Sequence, residues 1–366
     1  MNRIRQCGFA RIAMMATALL LAAWMTSAAS RDRDRKEVAR LTGHSKTVCV
    51  GRFLIDLPAE AEVVLGRAFI GGFDIAAVPE NEAQFRHRIR MREGEIRQTA
   101  LNELGTENLE ARRDLAGPGL EGAAFVYGRW GTSWVEKDRQ VQVQAVAIEG
   151  HVHHAAGQVS FKLSGRNHDP ARYGKLPILV SQLAARGSDE IPRAPGFCID
   201  RGLVTAPLSA DQNESVTMFA GLPGHPDLAI AFSTRAGARP ERSLIARSAR
   251  ALARQPYLVR AAFRKLAEGE RTINGVAGEE LVMKVTEANL STNLSFDWEA
   301  QGRVDDVTAP LLTLELQTGL NTRGGGRPVQ SSLSDAALAD LWRRISSSIR
   351  LRPGAAASLV RAHAPD

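Results

Sequence analysis

The sequence has little of what nucleic-acid binding needs. Of 366 residues only 5% are aromatic, so few rings are present to stack on bases, and no basic helix alternates with aromatic residues. Seven of the 47 basic residues are lysine and the rest are arginine, a bias typical of codon composition. The formal charge is +7, and three of these charges lie before residue 12. The sequence therefore predicts no nucleic-acid partner.

Catalytic signatures are also missing. The chain contains no G-x-S-x-G nucleophile elbow and no His-Glu-x-x-His. Gly117–Gly122 matches G-x-G-x-x-G, but a strand-like segment, 123–127, follows where a dinucleotide site needs a helix. We predict a glycine turn between two strands there. Adjacent acids such as Glu279–Glu280 point to opposite faces of an extended chain. We predict no enzyme, no catalytic residue and no cofactor; a hydrolase of unrecognised geometry stays an alternative.

One histidine cluster offers possible metal ligands. In the run His151–His154, His151 and His153 would share a face of a strand, and a third ligand such as His168 would have to come close. The alternative is a polar turn after the strand that ends at Ile148. We favour the turn and predict no metal site.

Long apolar runs are absent after residue 25. Before it, Arg3, Arg5 and Arg11 precede the apolar run Ile12–Met25, and small residues follow over Thr26–Ser30. This pattern predicts a cleaved signal peptide over 1–30 and a periplasmic protein, with a retained N-terminal anchor as the alternative. We expect no stable membrane insertion of the mature chain. The charge-rich segment that follows predicts a solvated tether over 31–45, and 357–366 is assigned as a tail.

The rest of the chain has the pattern of two similar lobes that arose by duplication and have since diverged. Cys49–Pro58 and Cys198–Pro207 share Cys, Arg, Leu and Pro at the same spacing, and each segment is typical of the first strand of a lobe. Asp189–Gly196, with two prolines and a glycine, has the composition of a linker. We therefore predict an N-terminal lobe over 46–190 and a C-terminal lobe over 191–356.

Each lobe also closes with the same pattern. Apolar residues spaced 0, 3, 4 and 7 predict one face of an amphipathic helix, with Ser334 as the N-cap of the second; they are Leu176, Leu179, Val180 and Leu183, then Leu338, Leu341, Trp342 and Ile345. A longer helix is expected near Glu80–Glu103, with Phe85, Ile89, Ile96 and Leu101 inward, and another from Pro240. Strands run together without βα alternation, which predicts an α+β fold of two similar lobes with largely antiparallel sheets.

Cysteine usage fits an exported chain. Once Cys7 leaves with the signal peptide, only Cys49 and Cys198 remain. They occupy equivalent positions in the two lobes, and equivalent strands of a pseudo-symmetric pair can meet at the lobe interface. They are therefore a candidate disulfide; the alternative is that each is a small buried residue of its own core.

These segments resemble a known family. Lys46–Pro58 is similar to the opening of the type VI secretion lipase-immunity proteins, the partners of the fourth class of lipase effectors. The Gly196–Asp200 opening, the Ile273–Glu279 segment, the Leu314–Gly319 strand end and the closing stretch Leu341–Pro353 resemble that family's C-terminal domain. The resemblance implies a periplasmic protein that binds and neutralises a phospholipase effector without catalysis. It implies no particular contact residues.

Two further functions stay open at this point. A periplasmic ligand-binding or envelope adaptor module would have a large apolar pocket with few polar groups. A hydrolase would have a cleft with paired titratable groups of perturbed pKa. An inhibitor would use the cleft between its two lobes to grip a partner.

Overall fold

The computed structural model describes residues 32–136, 139–205, 213–237, 239, 242–304, 306–323 and 325–355. The predicted signal peptide and the tail over 357–366 lie outside the described residues. Within the described part the chain is α+β, as predicted, and each strand pairing there is antiparallel.

Short and long strands make up most of both lobes. The strands before the linker are β1 Ser45–Val50, β2 Phe53–Pro58, β3 Glu62–Leu65, β4 Ala68–Ile70, β5 Phe73–Pro79, β6 Leu109–Gly117, β7 Leu120–Glu136, β8 Arg139–His154, β9 Val159–His168 and β10 Leu183–Ala185. Those after it are β11 Phe197–Ile199, β12 Gly202–Val204, β13 Glu214–Leu222, β14 His225–Ala236, β15 Phe263–Ile273, β16 Val276–Thr286, β17 Thr292–Ala300, β18 Leu311–Gln317 and β19 Arg350–Leu351. The turn between β6 and β7 contains Gly119 at φ 68°, so the glycine-rich motif is the turn that the sequence predicts.

The helices are fewer and lie on both faces of the sheet. They are α1 (residues 32–43), α2 Glu82–Gln98, α3 Lys175–Ser181, α4 Leu244–Ala253, α5 Tyr257–Ala261 and α6 Asp335–Ser347, with a 3-10 turn at Pro170–Gly174. Along the described chain, none has the length and apolar character needed to cross a membrane.

One 13-stranded sheet runs through both lobes. Its order is β15-β16-β17-β18-β14-β13-β4-β5-β9-β8-β7-β6, with β3 also paired to β13. The lobes join where β13 of the second lobe pairs with β3 and β4 of the first. The two lobes predicted from the repeat therefore share a continuous sheet.

The main hydrophobic core lies against one face of this sheet, here called the inner face. Phe161 and Leu163 of the first lobe and Phe232 and Phe296 of the second belong to it. The closing helices α3 and α6 pack there, and Ser334 caps α6 through a bond from Ala337 N. The predicted apolar residues are buried, but α3 ends at Ser181, so Leu183 belongs to β10 and not to the helix. Burial of this stripe is what fixes each closing helix to its sheet.

The closing strands exchange partners between the lobes. After α3, β10 pairs with β12 of the second lobe; after α6, β19 pairs with β2 of the first. The arginine that follows each strand occupies an equivalent place. Arg186 donates to the carbonyls of Ile199, Gly202 and Glu190, whereas the buried Arg352 donates to those of Pro192, Ala194 and Gly196. The exchange ties each lobe to the other.

The charged segment that follows the predicted signal peptide is not a tether. Residues 32–43 are helical, and Val38 and Leu41 are buried in the main core. Valine and leucine three residues apart share one face of a helix. The charges lie outside: Arg40 bonds Glu37 and Glu60, and Glu37 also meets His225 of β14 at 3.0 Å. The prediction of a solvated tether over 31–45 was wrong, because it rested on the high charge of the segment and not on its two apolar residues.

Two helix predictions differ in their bounds. Helix α2 is shorter than Glu80–Glu103: Asn81 and Gln84 form a capping box, and the helix ends at Gln98. Phe85, Ile89 and Ile96 are buried as predicted, but Leu101 is exposed because it follows the helix end. Helix α4 begins at Leu244 behind the N-cap Ser243, not at Pro240, which lies outside the described residues.

Candidate partner-binding surface

The two cysteines meet at the lobe interface. Cys49 and Cys198 form a disulfide with a Cα–Cα distance of 5.9 Å. Beside it, Gly51 and Cys198 exchange two backbone hydrogen bonds of 3.0 and 2.7 Å. Gly51 has φ 59°, and a Cβ there would lie 2.5 Å from the Cγ2 atom of Thr234, so this close approach requires glycine. The bridge joins the β1–β2 hairpin to the β11–β12 hairpin, so each segment predicted as a single first strand forms two short strands.

The sheet face opposite the main core, here called the outer face, carries α2 in the first lobe and α4 in the second. Residues directly opposite in antiparallel strands share a face, so the pairing register traces this face across the sheet. In the second lobe it runs Leu281–Asp297–Glu315–Ala231–Phe219 and on to Val64. In the first lobe it runs Ser215–Phe69–Asp74–Ser164–Glu149–Phe125.

Helix α2 is packed firmly onto the outer face of the first lobe. Phe85, Ile89 and Ile96 pack with Phe125 of β7 in a small apolar cluster. Polar contacts surround that cluster. Arg92 donates to both carboxylate oxygens of Glu149, at 2.8 and 3.0 Å. The apolar cluster and the Arg92–Glu149 ion pair together fix the position of α2 on the sheet.

Glu149 lies at the centre of a buried hydrogen-bond network. Burial alone would raise its pKa, but hydrogen bonds from His151, Arg92 and Tyr127 outweigh burial and hold the pKa below its usual range. Arg88 donates to Nδ1 of His151 at 3.0 Å, which leaves the Nε2 proton of His151 for Glu149 at 3.1 Å. Burial accordingly lowers the pKa of His151. This histidine is a structural link between α2 and β8.

The other histidines of the candidate metal cluster face different neighbours. His153 bonds Ser160 through Nδ1 at 2.9 Å and stacks on Phe85. His168 packs against Phe73 on another strand. Across the described ranges, no three His, Cys, Asp or Glu side chains are grouped to hold a metal ion. His151 and His153 do share the outer face, yet they lie within the strand β8 and not in a turn after it.

Helix α4 is less tightly packed than α2. None of its residues is fully buried, and a cavity of about 480 Å³ lies between α4–α5 and the sheet. The cavity is mainly apolar, with Ser295, Asp297, Lys265 and Glu268 among its polar lining. Its apolar walls include Ile245, Leu252, Val259, Phe263, Leu281 and Met283. The equivalent helices of the two lobes therefore differ in how they meet the sheet.

Between α2 and α4 the outer face is open. Its floor includes the exposed side chains of Val64, Phe219 and Glu315, with the half-buried Ala231 between them. Exposed apolar side chains on such a floor, between two helices, are typical of an interaction surface. Sequence patterns carry no signal for this floor, because it exists only where strands of the two lobes pair.

Asp297, on the outer face, lowers the stability of the folded protein when it is ionised. Asp297 lies directly opposite Glu315, and like charges in that arrangement repel. Burial raises the pKa of Asp297 to about 6; the Ser295 hydroxyl opposes the rise, and Glu315 and Glu299 add to it. Because the folded pKa lies above the ordinary value of 3.8, stability is lost as pH rises through this range.

We expect Asp297→Asn to stabilise the protein above about pH 6 by on the order of 1 kcal/mol. The gain should vanish below about pH 4, where Asp297 is protonated in both folded and unfolded chains. Urea unfolding at pH 4, 5, 6 and 7.5 measures it. Asp74→Asn, an exposed change on the same face, is the matched control. A gain that is equal at all four pH values would contradict the argument.

The fold and the duplicated lobes define a two-domain immunity protein. The N-terminal domain of Tle cognate immunity protein 4 matches residues 46–188, and its C-terminal domain matches residues 190–354. The chain belongs to this family. No curated protein matches the chain at a significant level.

Solved structures give the same fold. The apo immunity protein TplEi of the type VI secretion system of Pseudomonas aeruginosa has a TM-score of 0.68 and 24% identity, over 84% of this chain and 97% of that one. The same protein complexed with an "L" peptide has a TM-score of 0.66 and 24% identity, over 84% and 98%. A chain of the Tle4–Tli4 complex matches with the same four values.

Proposed function

We propose that this chain binds a phospholipase effector of a type VI secretion system and neutralises it as a stoichiometric, non-catalytic inhibitor. The observation that carries the proposal is family membership over both lobes, residues 46–188 and 190–354. Two of the similar structures point the same way, since one is a Tle4–Tli4 complex and the other an immunity protein with a bound peptide.

We infer that the effector lies against the open outer face between α2 and α4. Helix α2 is a fixed wall, because Arg92 and Glu149 lock it to the sheet. The floor offers the exposed Val64 and Phe219. A stable complex buries about 1,200 to 2,000 Å² in total, so the contact would extend from the floor onto both helices. The disulfide between the opening hairpins supports a rigid surface, which lowers the entropy cost of binding.

We also propose that the protein acts in the periplasm, after removal of residues 1–30. Immunity proteins of lipase effectors in type VI systems are periplasmic in general. The Cys49–Cys198 disulfide supports an oxidising compartment. The apolar run Ile12–Met25 behind three arginines is typical of an exported chain.

One observation favours the alternative of an envelope ligand-binding module. The cavity under α4 has a volume within the range of small-molecule sites and a mainly apolar lining. Asp297 at its base repels the carboxylate of a fatty acid, however, because burial and two further carboxylates already disfavour negative charge there. The family match therefore outweighs the cavity as an indicator of function.

The test is a titration of the cognate phospholipase, which we expect the adjacent gene to encode, with this purified protein. We expect phospholipid hydrolysis to fall linearly and reach zero near one-to-one stoichiometry. The protein alone should hydrolyse nothing. Light scattering should give the mass of a one-to-one complex.

Two results would overturn the proposal. One is phospholipid hydrolysis that follows the peak of the purified protein. The other is a phospholipase that stays fully active with excess protein present. An apolar fluorescent probe bound under α4, together with an unaffected phospholipase, would favour the ligand-binding module.

A further inference from the structure

The segment that forms α4, α5 and the start of β15 is rich in positive charge. Residues 242–267 contain seven basic residues and no aspartate or glutamate. Helix α2, at the equivalent place in the first lobe, is different, because three of its arginines pair with glutamates of the same helix. These pairs are Arg86–Glu82, Arg92–Glu95 and Arg97–Glu93. The positive charge of the α4–α5 segment has no such balance within the segment.

Three arginines of this segment are exposed: Arg250 on α4, Arg254 at its C-terminal end and Arg260 on α5. Ile245 lines the cavity under α4, so at 100° per residue Arg250 and Arg254 lie on the opposite, solvent side of the helix. Within the ranges that the structure describes, none of the three arginines is paired with a carboxylate. Like charges one helical turn apart repel, so a bound anion would relieve the repulsion between Arg250 and Arg254.

Exposed apolar side chains accompany these arginines. Tyr257 and Leu258 of α5 are 74% and 81% exposed, and Leu290 in the turn between β16 and β17 is 81% exposed. The Thr286 N–H donates to the carbonyl of Ala262 at 2.9 Å, so α5 and that turn lie at the same end of the sheet. Unpaired positive charge therefore lies beside apolar side chains that face water.

This surface is here called the basic patch and consists of Arg250, Arg254, Tyr257, Leu258 and Arg260. It lies at the far edge of the second lobe, because β15, which follows α5, is the last strand of the sheet on that side. The open floor of the outer face lies on β3, β13, β14 and β18, closer to the first lobe. The basic patch and the floor can therefore be occupied at the same time.

We propose that the basic patch attaches the protein to the surface of a bilayer that contains the anionic lipid phosphatidylglycerol. Each arginine near such a surface strengthens binding by about 5-fold through attraction to lipid phosphates. Tyr257 and Leu258 enter the headgroup region, as apolar side chains of interfacial helices do. Tyrosine suits that depth because its ring is apolar and its hydroxyl is polar. The inference goes beyond the proposed inhibition and needs only the proposed periplasmic location.

Two other anionic partners fit the basic patch less well. Single-stranded nucleic acid needs several aromatic rings on which bases stack, and Tyr257 is the one aromatic residue of the patch. An acidic protein needs a larger surface, because five side chains cover far less than the roughly 1,200 Å² of a stable protein complex. A bilayer requires no complementary shape, so a small patch of arginine, tyrosine and leucine is sufficient for reversible attachment.

The test is flotation of the purified protein, without residues 1–30, with vesicles of phosphatidylethanolamine and phosphatidylglycerol. We expect binding at low salt that weakens steeply as salt is added, because salt screens exposed charges. Vesicles of phosphatidylcholine alone, which carry no net charge, should bind at least about 10-fold more weakly.

Variants of the basic patch locate the contact. Arg254→Gln with Arg260→Gln should weaken vesicle binding about 25-fold, since each arginine contributes about 5-fold. The matched control is Arg90→Gln with Arg166→Gln, which removes two exposed arginines of the first lobe and should stay within about 2-fold. Leu258→Ser should weaken binding about 5-fold, because it removes the apolar contact with the headgroup region. All of these positions are exposed, and thermal melting checks that each variant folds.

The outcomes separate this inference from the proposed function. No flotation of the unchanged protein at low salt would overturn the inference. Equal weakening in the patch variant and in the matched control would also overturn it, because overall charge would then explain the binding. Loss of phospholipase inhibition on a soluble substrate, with flotation retained in the patch variant, would assign the patch to the phospholipase instead. Normal flotation of a protein that inhibits no phospholipase would support the inference and contradict the proposed function.

Discussion

Replacing both bridged cysteines, Cys49→Ala with Cys198→Ala, is expected to lower the free energy of unfolding by roughly 4 to 5 kcal/mol. The disulfide closes a loop with a sequence separation of 149, and the entropy that a bridge removes from the unfolded chain grows with loop length. Structure retained in the unfolded chain would reduce the loss. Alanine suits both sites, because Cys49 and Cys198 are buried among Leu54 and Leu203.

Guanidinium chloride unfolding of the oxidised protein and the double variant measures this loss. The control is the reductant. Dithiothreitol should lower the transition midpoint of the unchanged protein to near that of the variant, and it should leave the variant unaffected. Equal midpoints without reductant would show that the bridge adds nothing to stability. Phospholipase binding by the variant should also weaken, because the two hairpins lose their covalent link.

The sequence could place the two cysteines in equivalent strands because the repeat around them is local. Four identities at one spacing, from Cys49 to Pro58 and from Cys198 to Pro207, are visible without any knowledge of tertiary contacts. The closing helices were predictable for the same reason, since their apolar residues recur at helical spacing. The spacing of apolar residues within about ten positions is enough to predict which face of a helix or strand is buried.

Partner choice between strands is not local, and it was not predictable. Alternation marks β4 and β13 as strands, but nothing in Ala68–Ile70 indicates that it pairs with the second lobe. The sequence likewise does not indicate that β10 and β19 each pair with a strand of the other lobe. A strand of two or three residues followed by an arginine, Arg186 or Arg352, would suit a partner in either lobe. The outer face is built from such pairings, so the partner-binding surface proposed there could not be identified from the sequence.

Glu214→Gln is expected to cost about 3 to 5 kcal/mol of stability, because it removes the carboxylate from a buried ion pair. Arg52 and Glu214 are both buried. The Nε and Nη2 atoms of Arg52 donate to the two carboxylate oxygens of Glu214 at 2.6 and 2.9 Å, and Nη1 donates to the carbonyl of Ala355 at 3.0 Å. The pair joins the β1–β2 turn to the start of β13, so its loss should loosen the lobes from each other.

The pair itself is a costly arrangement. Burial raises the pKa of Glu214 even though Arg52 opposes that rise, which indicates that desolvation outweighs the attraction. Replacing both partners by apolar residues of similar size is therefore expected to be far less harmful than replacing one. Arg52→Met with Glu214→Leu should recover most of the stability that Glu214→Gln loses.

Urea unfolding of the single and double variants measures both effects. The matched control is Glu82→Gln, which removes the exposed pair with Arg86 on α2 and should cost less than about 0.5 kcal/mol. A Glu214→Gln variant as stable as the control would mean that water reaches Arg52. A double variant no more stable than Glu214→Gln would mean that the geometry of the pair, rather than its charge balance, holds the two lobes together.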